Sequence, residues 1–144
     1  VNRRPDLVIG YGNTLRGDDA VGRRIADAVD AWALPGVRVF SRHQLTPELA
    51  ADIAEAGRVF FVDAGPETAL THLHPQVSAH ASTHRTDPGD LLALAQHLYG
   101  AMPEAILLTV QAGDFELGAD LSETTRHAMN DAMGRLKVIL SPSH

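Results

Sequence analysis

Residues 8–22, VIGYGNTLRGDDAVG, constrain the fold more than any other stretch of the chain. An apolar run, Leu7-Val8-Ile9, leads into Gly10-Tyr11-Gly12. Gly17, the acid pair Asp18-Asp19 and Gly22 follow, and from Ala20 onward apolar residues recur at helical spacing. A buried strand that passes through a glycine loop into a helix is the first half of a βαβ unit. In open α/β sheets, ligands bind beyond the carboxyl ends of the strands, so chemistry is expected at this loop.

A glycine loop in that position suggests a phosphate site, but the residues oppose it. The dinucleotide fingerprint needs a third glycine where Leu15 stands, and a Walker loop needs a lysine, whereas the only lysine is Lys137. A nucleotide-binding α/β module is therefore disfavoured. A phosphate would also meet the negative charge of Asp18 and Asp19, while a divalent cation would find hard oxygen ligands. One carboxylate suffices to cap a helix. Asp18 is expected to take that role, leaving Asp19 spare.

Strand and helix signals alternate along the rest of the chain. Strands are expected over residues 6–11, 37–41, 58–64, 70–77 and 105–110, the fourth being short and half-exposed. Helices are expected over residues 19–32, from 46 to 56, from 87 to 100, and from a Ser122 cap to 140. Thr46-Pro47-Glu48 and Asp87-Pro88 each place a cap before a proline suited to the first helical turn. The inward faces are expected to carry Val21, Ile25, Ala28, Val29 and Trp32, then Leu49 and Ile53, then Leu91, Leu94, Ala95 and Leu98, and last Met129, Ala132, Met133 and Leu136. This order implies an α/β fold with a five-stranded, mostly parallel sheet and helices on both faces.

At 144 residues the chain has the length of one domain, residues 1–144. A net charge of −6 argues against nucleic acid or an anionic membrane as the main partner. There are no cysteines, which removes disulfides, thiolate metal sites and a cysteine nucleophile. No apolar run approaches the roughly 20 residues that span a bilayer. No separate apolar segment follows Arg3-Arg4, so a leader peptide is not expected. A cytoplasmic monomer is the expectation.

Asp63 follows four large apolar residues at the end of the third strand, where a charge is costly unless paired or ligating. If the first and third strands are neighbours, Asp19 and Asp63 share a rim, and a cation would relieve their repulsion. Imidazole is the natural third ligand. His80 and His84, in the loop over residues 78–86, leave the same sheet end, and spacing does not choose between them. His43 follows the second strand and can face the same crevice. His72 and His74 read as a solvated edge, His97 and His127 as helix surface, and His144 as terminal. An Asp, Asp, His set suits nickel or zinc with positions left open for substrate or water.

The pattern Gly10-x-Gly12-Asn13-x-Leu15-x-x-Asp18-Asp19-x-x-Gly22 resembles the opening motif of the hydrogenase maturation endopeptidases, the M52 peptidase family. The resemblance continues at Val62-Asp63-Ala64, at Ser82-x-His84 with Asp90-Leu91-Leu92, in the strand over 105–110 and at Leu121-Ser122. It implies a three-layer α/β/α sandwich. It also implies a nickel-dependent endopeptidase that removes the C-terminal extension of a [NiFe] hydrogenase large-subunit precursor after nickel insertion. The nickel comes with the precursor, and zinc or cadmium can take its place. The family's metal ligands, which are also its catalytic residues, fall on Asp19, Asp63 and His84. Gly10, Gly12 and Asn13 would shape the loop, and Asp18 would cap the helix. Many relatives carry Asp-Gly-Gly-Thr after the second strand, where this chain has Arg42-His43-Gln44-Leu45-Thr46. That looks like the variant of relatives serving soluble hydrogenases, and it makes His43 and Gln44, with Asn13, candidates for reading the substrate. A non-enzymatic nickel-binding maturation chaperone is the alternative for the same ligands.

Overall fold

The computed structural model describes residues 4–76 and 86–141. Five strands form one sheet: β1 (Asp6–Tyr11), β2 (Val37–Arg42), β3 (Arg58–Gly65), β4 (Ala69–Leu73) and β5 (Glu104–Gln111). Their order is β2-β1-β3-β5-β4. All pairings are parallel except that of β4 with β5. Among the described residues there are four α-helices: α1 (Val21–Ala31), α2 (Leu49–Glu55), α3 (Pro88–Tyr99) and α4 (Glu123–Leu140). The molecule is thus a three-layer α/β/α sandwich with a mostly parallel sheet.

Strand parity sorts the core into two halves. Val8, Phe60, Val62, Ile106, Leu108 and Val110 face α1 and α4. Leu7, Ile9, Val59, Phe61 and Ala105 face α2 and α3. Adjacent residues such as Phe60 and Phe61 are both fully buried because the sheet is covered on both faces, which explains the unbroken apolar runs. At the opposite end from the glycine loop, Arg58 on β3 makes two hydrogen bonds to the Asp6 carboxylate on β1, at 2.9 and 2.7 Å.

Several boundaries differ from expectation for local reasons. The first helix is preceded by a tighter turn, a 3-10 segment over Gly17–Ala20, and no side chain caps it. Before α2, the carbonyls of Thr46, Pro47 and Glu48 accept from the N–H groups of Leu49, Ala50 and Ala51, three residues on, so the expected first turn is also of tight pitch. β4 stops at Leu73, two residues before Pro75, which has no N–H to give to a ladder. α3 starts as expected, with a capping box between Asp87 and Asp90, and ends at Gly100 with φ of 68°. On α3, Leu92 is buried and Leu98 is 57% exposed, against the expected face; the helix's buried residues, Leu91, Leu92 and Ala95, all precede Gln96. α4 turns Ala128, Ala132, Leu136 and Leu140 fully inward, with Met129 and Met133 at the margin of the core. No helix among the described residues is long and apolar enough to cross a membrane.

Candidate active site

After β1 the chain crosses to β2 on one side, and β3 pairs with β1 on the other. The sheet therefore has its switch point between β1 and β3, and a crevice opens beyond their carboxyl ends. A cleft of about 490 Å³ lies there, bordered by Tyr11, Asn13, Asp19, His43, Gln44 and Asp63. Thr86, Asp87 and Pro88, at the start of α3, close another side.

The glycines serve packing. A Cβ on Gly10 would collide with the Gly22 carbonyl and with Ala26, and one on Gly22 would collide with the carbonyls of Val62 and Tyr11. This pair lets α1 press onto the ends of β1 and β3. Gly12, with φ of 148°, passes so close to the Asp19 carbonyl that no side chain fits. The loop is thereby folded back over the first turn of the helix. There the Asn13 N–H donates to Asp19 Oδ2 at 2.7 Å. The Asn13 side-chain oxygen accepts from the Leu15 N–H at 2.9 Å, an Asx turn that holds the loop open toward the cleft.

Asp18 does not cap α1, contrary to expectation. It is fully buried. One carboxylate oxygen accepts from the Ser122 N–H at 2.7 Å. The other accepts from the N–H groups of Gly113 and Asp114 and from the Ser122 hydroxyl, at 3.0, 2.9 and 2.9 Å. Burial alone would raise its pKa, but these donors outweigh burial and hold the carboxyl well below the usual carboxylate range. Asp18 is thus a tie between the glycine loop and the start of α4. Ser122 caps α4 as expected, accepting from the Thr125 N–H at 3.3 Å.

Asp63 is in the opposite situation. It stands one residue beyond Val62, the partner of Gly10 in the β1–β3 register, so it is level with Tyr11. Both residues fall on the sheet face covered by α2 and α3. The Tyr11 hydroxyl lies close enough to the Asp63 carboxylate for the two groups to shift each other's pKa. The Ala64 N–H donates to Asp63 Oδ1 at 2.8 Å. Burial pushes the Asp63 carboxyl up; Tyr11 and Ala64 oppose this, the charge of Asp19 adds to it, and the result is a pKa of about 6. The Tyr11 phenol is itself pushed above its ordinary range, first by burial and then by the charge of Asp63, so it stays a proton donor.

The sheet thus gathers at one cleft five candidates read from the sequence: Asn13, Asp19, His43, Gln44 and Asp63. His80 and His84 lie outside the described residues. Among the described residues, no cluster of three or more metal-ligating side chains occurs. Two carboxylates bordering one cleft, one of them made harder to ionise by the other's charge, are a donor set that suits a divalent cation. His97 and His127 are exposed, as expected. Tyr11, Thr86 and Asp87 also border the cleft, although in the sequence they look like a strand end, a loop residue and a helix cap. Parity could have found Tyr11: Leu7, Ile9 and Tyr11 share a face, as do Val59, Phe61 and Asp63.

No protein-family model and no curated protein matches the sequence. Solved structures do match. A [NiFe] hydrogenase maturation protease, HycI, from Thermococcus kodakarensis superposes with a TM-score of 0.74 at 23% identity, covering 96% of this chain and 94% of that one. The hydrogenase maturating endopeptidase HybD from E. coli gives 0.73 at 22% identity, covering 94% and 91%. A hydrogenase 2 maturation peptidase from a Thaumarchaeota archaeon gives 0.66 at 25% identity, covering 94% and 97%. The chain shares the fold of these maturation endopeptidases over nearly its whole length.

Proposed function

We propose that this chain is a nickel-dependent endopeptidase that removes the C-terminal extension of a [NiFe] hydrogenase large-subunit precursor after nickel insertion. The observation that carries the reading is the placement of Asp19 and Asp63 on one cleft at the switch point of the sheet. The shared fold and the sequence motif around Asp18-Asp19 support it. The precursor's tail enters the cleft with its nickel nearby, and Asp19, Asp63 and His84 complete the coordination. A cation held there supplies Lewis acidity toward the scissile carbonyl. The Asn13 N–H fixes Asp19, and Tyr11 fixes Asp63, so both oxygens are in place before substrate arrives. His43 and Gln44, on the β2 side of the cleft, read the precursor beside the cleavage point. The protein works as a monomer in the cytoplasm, and zinc or cadmium occupies the same ligands when nickel is absent.

The test is incubation of the nickel-loaded precursor with the protein, followed by mass spectrometry. The wild type shortens the precursor over many turnovers, whereas Asp19→Asn and His84→Ala leave it intact while their melting temperatures stay near that of the wild type. Stoichiometric binding without shortening would replace the protease with a nickel-carrying chaperone. Wild-type rates in either variant would remove the assignment of those ligands.

A further inference from the structure

Three large apolar side chains stand exposed: Leu15 at 66%, Phe115 at 44% and Leu117 at 71%. They come from two loops far apart in the chain. Arg16 and Leu117 form an isolated antiparallel bridge, and the Gly118 N–H donates to the Leu15 carbonyl at 2.7 Å. The Asp18 N–H donates to the Asp114 carbonyl at 2.7 Å, while the buried Asp18 carboxylate takes the N–H groups of Gly113 and Asp114. Gly17, with φ of 49°, approaches the Asp114 carbonyl too closely for any side chain. These backbone ties fix the two loops to each other. Apolar residues held on such a framework lose little backbone freedom when covered, which favours binding.

We infer that Leu15, Phe115 and Leu117 form a docking surface for the folded body of the protein substrate whose tail enters the cleft. This rests on the protease reading above. The surface begins where the cleft ends: the Leu15 N–H donates to the side chain of Asn13, which borders the cleft. Leu15 thus follows the cleft residue Asn13 by two positions, and the ties described above hold Leu117 beside it. The charges around the patch define the partner further. Asp114, Glu116 and Asp120 are exposed on the loop that carries Phe115 and Leu117, and Arg16 is exposed next to Leu15. The fitting partner presents an apolar patch bordered by lysine or arginine. A second copy of this chain would bring the same acidic rim against itself.

The experiment measures binding of the full chain to the nickel-loaded large-subunit precursor, and to the same precursor with its C-terminal extension removed, by surface plasmon resonance. Leu15→Ser/Leu117→Ser is expected to weaken both complexes by about tenfold or more at an unchanged melting temperature. Glu116→Lys is expected to weaken both by a smaller factor and to flatten the salt dependence. If the double variant does not fold, Phe115→Ser supplies the same readout. Affinity for the tail-less precursor equal in variant and wild type would overturn the docking surface and leave the cleft reading intact. Failure of the wild type to bind or shorten the intact precursor would overturn the protease reading and the surface with it. A wild-type dimer that the double substitution dissociates in sedimentation would make the patch a self-interface and overturn the proposal.

Discussion

Asp18 and Asp63 both stand at the carboxyl-end rim of the sheet, and their surroundings treat negative charge in opposite ways. Asp18 has three backbone N–H groups and a hydroxyl aimed at it. Asp63 has one N–H and one phenol, a cost of burial that these do not offset, and a second carboxylate across the cleft. The first environment selects a permanent anion and uses it to join two loops. The second holds an anion at a deficit, which an incoming cation would cancel. The lesson is that a buried acid is best judged by its donor count. A full complement marks a structural tie, and a shortfall beside a cavity marks a site.

The largest expected effect tests the first environment. Asp18→Ala strands four donors in the interior and should cost about 3–5 kcal/mol in chemical denaturation. A loss below about 1 kcal/mol would show that the tie is not structural.

Next comes the sign of the pH dependence. The folded-state pKa of Asp63, about 6, lies above the ordinary 3.8, so the folded chain holds a proton that the unfolded chain has released. Its contribution is present in full below about pH 4 and is lost as pH rises through about 6, on the order of 1 kcal/mol after allowing for solvent screening. Asp18 contributes with the opposite sign: its stabilisation is present above the ordinary carboxylate range and disappears only in stronger acid. Denaturation of the metal-free protein across this range should show the Asp63 slope in the wild type, and Asp63→Asn should lack it. An identical slope in the variant would place the titration elsewhere.

The smallest effect is that of Tyr11→Phe. It removes the hydroxyl that lowers the Asp63 pKa, so that pKa should rise further, with a stability change of about 0.5 kcal/mol. Carboxyl chemical shifts in NMR would follow it. An unmoved Asp63 titration would mean that the phenol does not hold the carboxylate.

Most of the sheet could be read from the sequence because the signals are local. Four apolar residues in a row at Val59-Phe60-Phe61-Val62 require burial on both faces, and Asp87-Pro88 starts a helix wherever it occurs. Asp63 was legible because it interrupts such a pattern at a strand's carboxyl end, and Asp19 because it is the second of two acids where a helix cap needs one. The role of Asp18 was not, since Ser122 is 104 positions away and no periodicity connects them. Leu98 failed for a related reason: a helix's apolar stripe does not say which of its turns meets the core. Tyr11 was hidden because its meaning depends on β1 lying beside β3.

Because the first loop is tied to Ser122, a chain emerging from the ribosome cannot set Asp19 in its final place until the last helix has begun to form. Before Ser122 is made, Asp18 can have only the Gly113 and Asp114 N–H groups among its four donors. The loop that carries Asp19 is therefore finished only by partners 95 to 104 positions further along the chain.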